Sequence, residues 1–317
     1  MNTVSFIIPV KPGGFVAALD HLKKTLPDDS CYEILLAEGS APSQQRNRAA
    51  READGDILYF LDDDSLITSE NLDHCFAGMS YPDVAVIGGP SITPADDSRL
   101  QQLFGSALAS AFGSGAVQNR YRVHGKIRET TDKEMILCNL AVRRALFLEL
   151  GGFNECLYPN EENEFLERVT KAGCRLIHDP GMLVFRSQRK TLKAFVRQMF
   201  SYGRGRGQQS RITSSYPVTS FIPLFFVAYL FFSLLFIKYL LLLVPLVIYL
   251  GAAFVSTLLV LLRSGRLFSM FLFCLYPLMH ITNGVGLLCG VLQGKPDSVH
   301  DSSITVRRIK VFGEKCC

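Results

Sequence analysis

Two rhythms of apolar and polar positions run through the first 65 residues. Val4-Ser-Phe-Ile-Ile-Pro-Val10 is a short, nearly continuous apolar run stopped by Pro12-Gly13-Gly14, the pattern of a strand. From Phe15 to Leu26 the apolar residues return at helical spacing, with Pro27 beyond the end. Glu33 to Ala37 predicts a second strand, Ser43 to Ala53 a basic helix and Asp56 to Leu61 a third strand. Strand, helix, strand, helix, strand at this spacing predicts an α/β fold, a parallel sheet covered on both faces. Ligands of such sheets bind beyond the carboxyl ends of the strands. Glu38 and the triplet Asp62, Asp63, Asp64 fall at two of those ends.

Another pattern takes over later. Between Pro217 and Leu262 the only charged residue is Lys238, and after Arg263-Ser-Gly-Arg266 a second apolar run extends from Leu267 to Leu292. A helix needs roughly 20 residues to cross the hydrocarbon, so the first run fits two spans and the second fits one. Ahead of them, Thr191 to Tyr202 places Leu192, Phe195, Val196, Met199 and Phe200 on one face, with Lys193 and Arg197 elsewhere. That is an amphipathic segment suited to a membrane surface. The expected organisation is an α/β domain over 1–190, an interfacial helix and basic linker over 191–215, about three membrane helices over 216–293, and a tail over 294–317. Arg263 and Arg266 favour a cytoplasmic loop. Three full crossings would then leave Arg307, Arg308 and Lys310 on the opposite side. Either one segment does not cross, or the tail breaks the tendency.

Charge sharpens the picture. The net charge of +4 over 317 residues is mild, but from Asp179 to Asp297 there is no acidic residue between the two, against twelve Lys and Arg. Such a stretch faces something anionic, and membrane lipid or a phosphate-bearing substrate fits better than nucleic acid, because the same stretch is the most apolar. Met1 to Val10 lacks the basic start of a signal peptide, so residues 1 to about 215 are expected in the cytoplasm. The nine cysteines show no metal or disulfide spacing and are expected to be reduced.

Three adjacent carboxylates at a strand end suit a divalent cation, Mg²⁺ or Mn²⁺, that bridges them to substrate phosphates; the plain alternative is a solvated turn. Two enzyme classes place Asp-x-Asp at a strand end. A haloacid-dehalogenase-type phosphatase continues into Gly-Thr or Gly-Val near the first strand, whereas here Ser65-Leu66 follow and two strand-helix units come first. A nucleotide-sugar glycosyltransferase reaches its metal site at this later position. No Gly-x-Gly-x-x-Gly follows the first strand, which disfavours a dinucleotide oxidoreductase.

Further along, Asn160-Glu-Glu-Asn-Glu-Phe165 reads as a helix start. With Asn160 as its cap, Phe165, Leu166, Val169 and Ala172 form a buried stripe and Glu162 falls near its centre. Glu167 lies opposite, and Glu164 can pair with Arg168. An inward Glu162 is expected to have a raised pKa, suited to a general base. Glu161 is explained by an exposed acidic helix start.

The order of Ser5-Phe-Ile-Ile-Pro9, Glu38-Gly-Ser40, Arg46-Asn47, Phe60-Leu-Asp-Asp-Asp64, Cys138-Asn-Leu-Ala-Val-Arg-Arg144, Gly151-Gly-Phe-Asn-Glu155, the Asn160 segment with Arg168, Arg197-Gln198 and Tyr202-Gly-Arg204 resembles family 2 glycosyltransferases. The likeness is to the bacterial membrane-anchored members that assemble exopolysaccharide or O-antigen, and it spans roughly residues 3 to 211. It implies a GT-A, Rossmann-like fold followed by transmembrane helices. It also implies a nucleotide-diphospho-sugar donor held by Pro9, Glu38, Arg46, Asp62, Asp63, Gln198 and Arg204, with Asp62 and Asp64 as metal ligands. Glu162 maps to the catalytic base, with Glu161 as its substitute, and Glu38 stands where the family usually has Asp. Processive synthases carry Gln-x-x-Arg-Trp after the basic helix, and this chain has no Trp. The expected activity is therefore inverting, metal-dependent, non-processive transfer of one sugar to a polyprenyl-diphosphate-linked saccharide, at the cytoplasmic face of the inner membrane, with an oligomer possible. Transfer to polyprenyl phosphate and a catalytically silent nucleotide-binding scaffold are the alternatives. The 93–131 segment is expected to supply acceptor-side loops.

Overall fold

The first strand forms as its pattern predicts. In the computed structural model, which describes residues 3–26, 31–293 and 303–313, β1 (Val4–Val10) is buried at every position. Its alternate side chains serve two cores: Val4, Phe6 and Ile8 pack on one face of a sheet and Ile7 on the other. The strands that follow are β2 (Tyr32–Glu38), β3 (Ile57–Leu61), β4 (Leu66–Ile67), β5 (Val84–Gly88), β6 (Ser91–Ile92), β7 (Arg128–Glu129), β8 (Asn139–Arg143), β9 (Arg175–His178), β10 (Val184–Phe185) and β11 (Thr305–Lys310). The α-helices are α1 (Ala17–Thr25), α2 (Pro42–Glu52), α3 (Asn71–Met79), α4 (Arg99–Leu108), α5 (Ala111–Ser114), α6 (Arg144–Glu149), α7 (Glu161–Lys171), α8 (Leu192–Thr213), α9 (Val218–Leu235), α10 (Val244–Ser264) and α11 (Leu272–Leu292).

The chain forms two compact units, and they do not follow its linear order. One gathers 1–92, 119–186 and 297–317; the other gathers 93–118 and 187–296. The first holds an eight-stranded sheet ordered β11-β2-β1-β3-β8-β5-β9-β7 and a small sheet ordered β4-β10-β6. The expectation of a parallel sheet holds for β2-β1-β3 and for β5-β9 but not for β8, which runs antiparallel between β3 and β5. The sheet is mixed because β8 enters after a long excursion and pairs by edge rather than through a crossover helix.

The last strand was not legible in the tail's charges. β11 pairs antiparallel with β2, from Thr305 opposite Glu38 to Lys310 opposite Ile34. Glu33, buried in β2, accepts from the Ser5 hydroxyl at 2.6 Å and the Asp54 amide at 2.7 Å and meets Arg308 at 3.1 Å. Arg308 also bonds Asp54, and Lys310 lies 3.9 Å from the Tyr32 ring centroid. Cys316 and Cys317 lie outside the described residues.

In the second unit α8 and α11 run side by side in the same direction. A Cβ at Gly203 would meet the Asn283 carbonyl at 2.0 Å, and one at Gly290 would meet the Arg204 carbonyl at 2.0 Å, so the two backbones touch. Part of the apolar face expected to meet lipid packs on protein: Phe195 stacks on Phe104 of α4 with centroids 4.0 Å apart and Met199 is buried, while Leu192 is exposed. Residues 93–118 join this unit through contacts such as Phe112 against Tyr276 and His280. Three helical stretches, Val218–Leu235, Leu240–Ser264 and Leu267–Leu292, are long and apolar enough to cross a membrane.

Removing Arg308 strands the buried Glu33 without its charged partner. Arg308→Ala should cost about 2 kcal/mol, less than breaking a fully buried pair costs, because Arg308 is partly exposed. That corresponds to a fall of about 4–8 °C in the thermal midpoint of the detergent-solubilised chain by circular dichroism. Arg307→Ala, at a more exposed and longer contact, should shift it by less than about 1 °C.

Candidate active site

Most of the residues singled out from sequence come together in the first unit, at the carboxyl ends of its strands. Asp62, Asp63 and Asp64 follow β3 directly, and the turn is closed by the Ser65 amide donating to the Asp62 carbonyl at 3.1 Å. The Asp63 carbonyl accepts from the Ala18 amide at 3.0 Å at the start of α1. Burial, then the neighbouring Asp64 and Asp62, push the Asp63 carboxyl above the usual range. Pro9 is buried within β1 beside this edge.

Helix α2 brings Arg46 beneath the triplet. Its guanidinium is 4 % exposed and donates to Asp62 at 2.6 Å and to Glu161 at 3.0 Å. The next residue, Asn47, fixes the chain that leads to α7: its side chain donates to the Phe153 carbonyl and accepts from the Phe153 amide, both at 2.8 Å. Gly152, at φ +73°, makes room for this clasp, since a Cβ there would lie 2.6 Å from Oδ1 of the Asn47 side chain. The quoted pairs Arg46-Asn47 and Gly151-Gly152-Phe153 are thus two halves of one joint.

Helix α7 starts at Asn160, as expected, but Asn160 takes a left-handed φ of 86° and makes no side-chain cap bond. Its side chain accepts instead from Asn163 at 2.9 Å. Phe165, Leu166 and Val169 are buried, while Ala172 is exposed, because the helix ends there in the Gly173 turn. Glu164 pairs with Arg168 at 2.7 Å. Glu162 is inward, 8 % exposed, with Asn163 donating to it at 3.1 Å and the Arg120 guanidinium forming an ion pair with it at 3.6 Å; Arg120 donates to Asn163 at 2.6 Å.

Glu161 departs from its expectation as an exposed helix start. It is 1 % exposed, and burial pushes its carboxyl up to about 8, with Arg46 pulling it down and Glu162 adding to the rise. Arg46 lies far away in sequence, and nothing local to α7 announces it.

A second guanidinium grips the triplet. β10 pairs with β4 so that Phe185 sits opposite Leu66, which sets Arg186 beside the Asp turn. Arg186 meets Asp64 at 2.6 Å and Asp62 at 3.1 Å. Asp62 and Asp64 offer only hard carboxylate oxygens, the donors that Mg²⁺ and Mn²⁺ take one or two at a time with phosphate and water completing the shell. Among the described residues no group of three His, Cys, Asp or Glu is arranged to hold an ion by itself. The pair therefore fits an ion that arrives with phosphate and displaces Arg186 from carboxylates it now spans. Asp64, 45 % exposed on its side chain, is the open side.

Glu38 ends β2, where it accepts from the Gly13 amide at 3.3 Å and lies 3.6 Å from Arg307 of β11. Gln198 and Arg204 belong to the second unit, on α8; Gln198 donates to the Tyr202 hydroxyl at 2.7 Å. Arg120, Asn163 and the grip of Arg186 escaped sequence reasoning, since each acts through a partner far along the chain.

A cation held by Asp62 and Asp64 would compete with Arg186 for the same oxygens. Arg186→Ala should therefore tighten binding of Mn²⁺ alone about tenfold, the equivalent of about 1.4 kcal/mol, measured by the loss of the free Mn²⁺ signal in electron paramagnetic resonance. Arg175→Ala, whose pairs with Asp83 and Glu129 are exposed, serves as the control and should leave it unchanged.

With the geometry in view, comparison with known proteins places it. Residues 57–288, well over half of the chain, match the family model described as Glycosyl transferase family group 2. Over 162 residues the chain is 24 % identical to the pre-mycofactocin glycosyltransferase of two Mycobacterium tuberculosis strains, covering 51 % of this chain and 33 % of those proteins. It thus spans about a third of the length of these curated relatives. Among solved structures, the mannosyltransferase PcManGT from Pyrobaculum calidifontis, in complex with GDP-Man and Mn²⁺, aligns with a TM-score of 0.53 and 16 % identity over 92 % of this chain and 88 % of that one. That likeness is one of fold, a mixed α/β GT-A-like domain with apolar helices after it. The chain belongs to glycosyl transferase family group 2.

Proposed function

We propose that this glycosyltransferase moves a single sugar, with inversion, from a nucleotide-diphospho-sugar to a lipid-linked saccharide at the cytoplasmic face of a bacterial inner membrane. The observation that supports this best is the span of Arg46. One buried guanidinium ties Asp62, at the diphosphate end, to Glu161, beside the proposed base. Glu38 and Pro9 would line the nucleoside, with Arg46, Asp62 and Asp63 near the diphosphate. PcManGT was solved with a nucleotide sugar and Mn²⁺, which supports a donor and a divalent ion of those classes here.

Glu162 takes the proton from an acceptor hydroxyl, and the oxygen attacks the anomeric carbon from the face opposite the diphosphate. Arg120 and Asn163 hold the Glu162 carboxylate in place for that transfer. As the glycosidic bond breaks, negative charge grows on the diphosphate, and Arg46 and Arg186 are placed to offset it. A divalent ion held by Asp62 and Asp64 would act there as a Lewis acid on the same oxygens. The apolar helices of the second unit bring the enzyme to a membrane, where an insoluble acceptor resides.

Glu162→Gln should lower kcat about 10³-fold with little change in the donor KM, the signature of a lost proton acceptor. Asp64→Ala should lower donor affinity as well as turnover. Both are read as nucleoside diphosphate released from a panel of sugar donors, with and without polyprenyl-diphosphate saccharides and polyprenyl phosphate. Release that is unaffected by Glu162→Gln but abolished by Glu161→Gln would move the base to the neighbouring residue. Absence of release with every donor and lipid would favour a silent scaffold.

A further inference from the structure

The path of the chain between the sheet and its last strand constrains how it meets the membrane. β11 is hydrogen-bonded along β2, with Arg308 on Glu33 and Asp54 and a buried Lys310 against Tyr32. A strand zipped into a sheet lies on the same side of a bilayer as the rest of that sheet. Residues 187 to 304 must therefore cross an even number of times, yet three helices have the length and apolarity to cross.

The three are not alike. The Val218–Leu235 and Leu240–Ser264 windows have mean hydropathies of 2.1 and 2.3, and each is only 11 % buried within the protein. Their large apolar side chains, among them Phe225, Phe231, Val247, Phe254 and Leu262, are exposed, as lipid-facing positions would be. The Leu267–Leu292 window has a mean hydropathy of 1.5 and is 39 % buried. What buries it includes α8. Phe200 lies against Gly286, Gly203 against Asn283, Arg204 against Gly290 and Gly207 against Leu287, and Arg211 donates to the Val291 carbonyl at 2.9 Å.

Helix α8 cannot accompany a neighbour into hydrocarbon. It carries Arg197, Arg204, Arg206 and Arg211, and each arginine at the centre of a span costs roughly 2.5–3.5 kcal/mol. Backbone contact along α8 therefore ties the second half of α11 to that charged helix, and its close contact with α9, Gly284 against Pro223 and Val227, lies toward the start of α9, near where that helix would enter the membrane. Loop charge selects the same pair of crossings. If α9 and α10 cross, Arg263 and Arg266 between α10 and α11 share the side of the α/β unit, and only Lys238 faces the other way. If α10 and α11 crossed instead, both arginines would be on the far side, against the positive-inside tendency.

We propose that the chain crosses its membrane twice, as an α9–α10 hairpin whose outer surface is lipid-facing, while α11 remains on the side of the α/β unit, strapped to α8, so that the tail can return to the sheet. This topology stands apart from the identity of donor and acceptor.

The test uses the full chain with distinct epitope tags at its two ends, in sealed vesicles of both orientations. A protease site is inserted after Lys238 in one variant and after Gly265 in another. Both tags and the site after Gly265 should be reached from one face, and the site after Lys238 only from the other. Tags on opposite faces would overturn the even count. A site after Lys238 open from the same face as the tags would overturn the hairpin, and a site after Gly265 open only from the opposite face would mean that α11 crosses, which overturns the proposal. Because an inserted site can disturb folding, a Lys238→Cys variant labelled with a membrane-impermeant maleimide reads the same loop without insertion.

Discussion

A guanidinium buried between two carboxylates holds the two halves of this site in register. Arg46 reaches Asp62 at the end of β3 through one nitrogen and Glu161 at the start of α7 through the other. Burial makes that bond consequential: a charged group out of water must find charged partners, and removing one leaves the others costly. The Asp turn and the acidic helix come from segments about 100 residues apart, yet neither can shift without breaking a contact to the same side chain. Asn47, one residue on, repeats the device with neutral groups by clasping both backbone polar atoms of Phe153.

Around that tie the charges are arranged in layers. Arg186 spans Asp62 and Asp64, and Arg120 with Asn163 steadies Glu162. The guanidinium groups of Arg46, Arg186 and Arg120 all face carboxylates. The most exposed of these carboxylates, Asp64, is also the one with the most room to change partner.

How much of this the sequence revealed follows from the range of each interaction. β1, β2 and β3 were legible because continuous apolar runs bounded by Pro and Gly depend only on neighbours in the chain. The Asp triplet at a strand end and the inward Glu162 were legible for the same reason, one from an abrupt change of polarity and the other from helical period. Glu161 was misjudged as exposed because an acid in a first helical turn is satisfied locally by the helix dipole, whereas its burial depends on Arg46, remote in sequence. Strand β11 was hidden by its own composition: Thr305-Val-Arg-Arg-Ile-Lys310 looks like a basic tail until Glu33 and Asp54 supply the countercharges. The antiparallel β8 and the burial of Phe195 and Met199 on α8 are likewise decided by tertiary partners, not by local pattern.

The tie between the Asp turn and the acidic helix is tested most directly by a double-mutant cycle on Arg46→Met and Glu161→Gln, following unfolding of the ligand-free chain. If one guanidinium serves both elements, the two substitutions share an interaction and their combined effect departs from the sum of the singles by about 1–3 kcal/mol. Effects that add to within about 0.5 kcal/mol would show that Arg46 and Glu161 act independently, and the site would then have no common anchor.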